Sequence, residues 1–113
     1  MTEPNTAASA AIRALNDKLR TTLTGGKVMI TAGIQAMSLE AQARVLAAVR
    51  AFDAFDRDND PHGEHDFGAI TLQGHRLFFK IDYYDLNLEG HSPDAADSAQ
   101  THRVLTIMLA SEY

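Results

Sequence analysis

Six of the chain's 15 acidic residues crowd into positions 53 to 66: Asp53, Asp56, Asp58, Asp60, Glu64 and Asp66. Only one basic residue, Arg57, shares that stretch, so fourteen residues carry −5, the formal net charge of the whole 113-residue chain. Oxygens at alternate positions, as in Asp56-x-Asp58-x-Asp60, open a calcium loop because they can wrap a hard cation. The rest of the segment departs from that pattern. Pro61 stands where the loop needs a glycine for its sharp turn, and Phe67 stands where a bidentate glutamate closes the shell. That leaves looser cation binding, a docking patch for a basic surface, or a solvated turn.

Two further constellations could do chemistry. His62, Glu64, His65 and Asp66 supply two imidazoles and two carboxylates within five residues, the ligand types of a transition-metal site and of general acid–base catalysis. Their spacing matches no standard zinc motif. On an extended chain His65 and Phe67 would face one way and Glu64 and Asp66 the other, which splits the cluster, so structural use in the turn competes with ligation. Downstream, Lys80, Asp82 and Tyr84 share one side of an alternating segment. Such a face is a candidate binding surface if no helix covers it, and otherwise a set of cross-strand pairs with a surface ion pair. No nucleophile elbow, dinucleotide fingerprint or phosphate loop is present, and Gly25-Gly26-Lys27 precedes a strand rather than the helix an anion site needs.

Composition removes whole classes. With no cysteine there is no disulfide scaffold, thiolate zinc cluster or cysteine nucleophile. No apolar run approaches the ~20 residues of a membrane span, and Met1 to Asn5 lacks the order of a secretory signal, so the cytoplasm is the expected compartment. Ten dispersed Lys and Arg against 15 acids argue against direct nucleic-acid binding.

The elements that would position these groups follow from periodicity. Ala8, Ile12, Leu15, Leu19 and Leu23 recur at helical spacing over 6–24, with Asn5 or Thr6 as cap and Gly25-Gly26 as stop. Lys27 to Ala32 reads as a short strand. Ser38 caps a second helix over Leu39 to Phe55, whose apolar side is Leu39, Ala43, Leu46, Val49 and Phe52 with Val45 adjacent. Asp58 to Gly63 is turn chemistry. Phe67 to Gln73 and His75 to Tyr84 form an antiparallel hairpin about Gly74, with Leu77, Phe79, Ile81 and Tyr83 facing the core. Residues 85 to 100 read as a surface connection. The run His102 to Ala110 fits strand or helix, and its β-branched residues, with the hairpin's need of a third partner, favour strand. The expected fold is α+β: two amphipathic helices on one face of a mostly antiparallel sheet of about four strands. A single domain spans 1–113, with 1–5 disordered.

Asn59 to Gly68, Lys80 to Asp85 and Arg103 to Ala110, with Thr24-Gly25-Gly26 and Arg50-Ala51-Phe52-Asp53, together resemble a family of small bacterial proteins known as a domain of unknown function, number thirty-seven sixty-eight. The resemblance covers roughly residues 11–113 and implies a stand-alone bacterial accessory protein, with no catalytic residue nominated. Function therefore rests on the residues. The leading expectation is a non-enzymatic module that binds a protein with a basic surface through the acidic turn, with Asp56, Asp58, Asp60, Glu64, His65 and Asp66, and the face bearing Lys80, Asp82 and Tyr84. The rival is a metal-binding protein or small metal-dependent hydrolase using Glu64, His65 and Asp66, with a divalent cation as cofactor where the leading reading has none. A homodimer through an uncovered sheet edge or face is a third reading.

Overall fold

Local chemistry starts and stops the helices. The structure, a computed structural model, describes residues 6–113, and the expected disorder of 1–5 lies outside the described residues. Thr6 accepts the amide of Ser9 and opens α1 (Ala7–Thr22); Leu23, at φ +60°, closes it ahead of the two glycines and donates its amide to Leu19. Strand β1 (Lys27–Ile30) stops two residues short of the expected run. A four-residue helix that the sequence reading lacks, α2 (Ala32–Gln35), follows it. Ser38 caps α3 (Leu39–Ala51) by accepting the amide of Ala41, as its type predicts. The helix ends at Ala51 rather than Phe55, because Phe52 is extended (ψ 131°) and the chain turns so that Phe52 and Phe55 meet Phe79 edge-on.

Strands β2 (Phe67–Leu72) and β3 (His75–Tyr84) form the expected hairpin, with Gln73 and Gly74 both at positive φ in a two-residue turn that matches the strand twist. The C-terminal run is a strand, β4 (His102–Leu109), antiparallel to β3 and parallel to β1. The sheet order is β1-β4-β3-β2, an α+β arrangement with one parallel pair. Segment 85–100 is surface chain pinned at its end, where the single proton of Thr101 Oγ1 is shared between the carbonyls of Asp94 and Asp97, each at 2.9 Å.

Alternation divides the sheet. Leu77, Phe79, Ile81, Leu105 and Ile107 face the helices and form the core with Leu19, Ile34, Val45 and Val49. Two details differ from the periodicity. Leu39 is 83% exposed rather than part of the apolar side of α3. In α1 the buried residues are Ser9, Asn16, Leu19 and Arg20, while Ala8 is exposed and Ile12, Leu15 and Leu23 are half-buried. The inward line of α1 is thus largely polar, because partners elsewhere in the chain satisfy it.

Close packing is tightest at Gly68, where a β-carbon would overlap the Phe79 ring and come 2.8 Å from Phe52. Gly68→Ala is expected to destabilise by about 1–3 kcal/mol through overpacking. Gly90→Ala, with no atom within 4 Å of the added carbon, should stay within about 0.5 kcal/mol in the same thermal or urea unfolding measurement.

Candidate binding site

Two groups of polar side chains emerge, one in each layer. On the helix side, Asn16 is fully buried and is the node of the first. Its Nδ2 donates to the Glu64 carbonyl (3.0 Å) and to the Tyr83 hydroxyl (2.8 Å), and its Oδ1 accepts from Arg103 Nε (2.6 Å). Tyr83 donates its hydroxyl to Glu64 Oε1 (2.8 Å), and burial pushes that hydroxyl well above the ordinary phenol range. Arg103 is 2% exposed; its guanidinium lies over the Tyr83 ring and donates to the Ala95 carbonyl, and burial lowers its affinity for the proton.

One turn further along α1, Arg20 Nη1 reaches the carbonyls of Val49, Arg50 and Phe52 (3.1, 3.2 and 2.8 Å), capping the end of α3. Asp17 receives Arg20 Nη2 (3.2 Å) and His65 Nδ1 (2.8 Å), and the imidazole stacks flat on Phe55 at 3.8 Å. Arg13 donates to the Gly63 carbonyl (2.8 Å). The acidic turn is therefore fastened to α1 at Gly63, Glu64 and His65.

Two of its carboxylates are engaged within the turn itself. Asp56 Oδ1 accepts the amides of Asp58 and Asn59. Asp60, 7% exposed, accepts those of Glu64 and His65 and stabilises the positive φ (+57°) of His65. Such bonds to turn amides are the structural use of Asp and Asn that competes with ligation. Among the described residues no group of three or more His, Cys, Asp and Glu side chains is gathered as a metal would need, so the metal reading of His62, Glu64, His65 and Asp66 draws no support from the geometry.

The second group lies on the sheet face that, among the described residues, neither α1 nor α3 covers. Lys80, Asp82 and Tyr84 share it with Lys27, Met29, His102, Val104 and Thr106 across the register of β1, β4 and β3. They bound an open groove of about 700 Å³ that extends from Gly25-Gly26 to Leu88. That volume is within the usual range for ligand sites. Lys80 Nζ lies 2.8 Å from Asp82, a pairing that raises the lysine's proton affinity. At the far end Phe67 and Phe78 pack together, and the C-terminal Tyr113 sits edge-on to both.

Lys80, Asp82 and Tyr84 thus come together as expected, but Glu64 and His65 do not join them. Glu64 meets Tyr83, whose side chain points to the helix layer, one residue out of phase with Asp82 and Tyr84. Sequence reasoning missed Asn16, Arg20 and Arg103. The signal for Arg103 was available: it has the same parity in β4 as Leu105 and Ile107, and hence the core face.

Asn16→Ala removes an acceptor from buried Arg103 and a donor to Tyr83, and is expected to cost about 1–3 kcal/mol in chemical denaturation. Asp66 is a separate case. Burial, with the neighbouring charges of Glu64 and Asp60, raises its pKa above 3.8. Its charged form is disfavoured in the folded state, so the stability it contributes is complete below pH 3.8 and is lost as pH rises through the raised value. Asp66→Asn should therefore raise Tm at pH 7, with the gain shrinking towards pH 3, in a pH series of thermal melts.

No helix among the described residues is long and apolar enough to cross a membrane. No curated protein and no solved structure matches the chain. A family model does match, over residues 30–112, from the last residue of β1 to the C-terminal turn. The chain belongs to the family described as Protein of unknown function (DUF3768).

Proposed function

We propose that the protein is a non-enzymatic binding module and that its contact surface is the groove on the uncovered sheet face, which takes an extended segment of a partner protein carrying apolar side chains flanked by carboxylates. The observation that carries this reading is the composition of the groove. Met29 (49% exposed), Tyr84 (36%) and Leu88 (63%) offer apolar surface to solvent at one site, where isolated exposed apolar residues would be unremarkable.

Charge complementarity gives the sign of the partner. Lys27 and Lys80 stand on the groove against the single carboxylate of Asp82, which Lys80 already holds, with His102 beside them. The sequence alone favoured a partner with a basic surface because it counted the acidic turn. That turn is bonded to α1 in the other layer and its inner carboxylates hold their own backbone, so the groove's charges are the ones a segment lying in it would meet. The bonds of His65 to Asp17 and of Tyr83 to Glu64, with the His65 ring stacked on Phe55, favour a structural role for that cluster over a reactive one.

The test is selection on an array of short randomised peptides with the purified full chain. Enrichment of peptides pairing Leu, Phe or Met with Asp or Glu, with affinity reduced about tenfold by Lys27→Glu combined with Lys80→Glu, is the expected result. Enrichment of basic peptides, or of none, overturns it. So does self-association in sedimentation that the same double substitution abolishes, which would assign the face to a second copy.

A further inference from the structure

Among the described residues four non-glycine residues have positive φ, and three are held by what surrounds them. Leu23 ends α1 and packs against the core; Gln73 makes the hairpin turn; His65 is stacked on Phe55 with its amide bonded to Asp60. Leu88, at φ +58°, differs from these. It has no place in the core, and it is 63% exposed in a loop where glycine or asparagine would adopt the same backbone more easily.

The loop nevertheless fixes it firmly. Leu88 donates its amide to the Asp85 carbonyl (3.0 Å), Asp85 donates its own to Gly90 (3.0 Å), and Glu89 donates to Asp85 Oδ1 (2.9 Å). Tyr84 and His91 close the base as a β-bridge. A bulky apolar side chain is thus held in a strained backbone conformation at the mouth of the groove, in contact with solvent. Strain of this kind persists where surrounding structure enforces it, and it concentrates at binding sites.

We infer that Leu88 is the apolar anchor of the groove, presented by its loop so that the partner segment buries it against Met29 and Tyr84. This inference rests on the groove being the contact surface. Anchor residues placed in advance avoid the ordering cost of binding, which is why a rigid loop suits the task. The left-handed backbone is the means of aiming the side chain.

Leu88→Gly separates this role from a structural one, because it relieves the backbone while removing the anchor. The expected result is a Tm no lower than that of the wild type, together with affinity for the array-selected peptides weakened about tenfold, the scale of burying most of a leucine side chain. Leu88→Met, which keeps the apolar volume, should restore binding to within about threefold. Unchanged affinity in Leu88→Gly overturns the inference while leaving the groove reading in place. So does Leu88→Met binding as weakly as Leu88→Gly, since an apolar side chain of similar volume would then fail to serve as the anchor. A wild-type chain that selects no peptide overturns both readings.

Discussion

Asn16 is the constraint on which the rest depends. It is a neutral amide with no exposed surface, and it joins α1 to β3 through Tyr83, to β4 through Arg103 and to the acidic turn through the Glu64 carbonyl. A buried guanidinium requires such partners, because an unpaired charge away from water costs several kcal/mol. Arg103 has the Asn16 oxygen, the Ala95 carbonyl and the face of the Tyr83 ring. The network fixes the rotation of α1 about its axis: turning the helix by one residue would bring the apolar stripe inward and leave Arg103 and Tyr83 unsatisfied. Arg20 repeats the device, with Nη1 on three carbonyls at the end of α3 and its Nε without a hydrogen-bond partner, the guanidinium lying over the rings of Phe55 and Phe79.

The consequence for the sheet is an asymmetry of cover. Both long helices, and the acidic turn fastened to them, lie on one side. The other side is left with its own cross-strand pairs, the Tyr113 ring at one end and the groove at the other. The C-terminus is anchored independently: Glu112 accepts from Thr31 Oγ1 (2.6 Å) and from the amides of Gly33 and Leu109 (both 2.9 Å), and these donors draw its pKa below the usual carboxylate range. The groove's walls are therefore set by strand register and its ends by bonded loops. Its shape belongs to the fold and does not wait on a ligand.

What the residues revealed, and what they concealed, follows one physical line. Strand alternation in Leu77, Phe79, Ile81 and Tyr83 depends only on the period of two, and it placed both faces of β3 correctly, with Lys80, Asp82 and Tyr84 together. Helix caps at Thr6 and Ser38 were legible because capping is local. The burial of Asn16, Arg20 and Arg103 was not, since apart from Asp17 near Arg20 and Ala95 near Arg103 their hydrogen-bond partners lie between 29 and 87 residues away along the chain. The end of α3 was misplaced for the same reason: Phe52 and Phe55 continue a helical spacing, but packing against Phe79 outweighs it. The acidic cluster lies where the spacing put it, and the structural use that competed with ligation is seen at Asp56 and Asp60, whose oxygens accept amides two to five residues on.

That relocation changes how the net charge of −5 should be read. The chain measures 39 × 31 × 24 Å, and packed layers are separated by about 10 Å, close to the distance over which physiological salt screens a charge. An anionic segment in the groove would feel Lys27 and Lys80 at contact distance and the acidic turn only through a full layer of protein and its ion atmosphere. On the proposed reading, the charges such a segment meets first are Lys27 and the Lys80–Asp82 pair. The −5 of the acidic turn lies in the opposite layer, a placement that a count of charges along the chain cannot see.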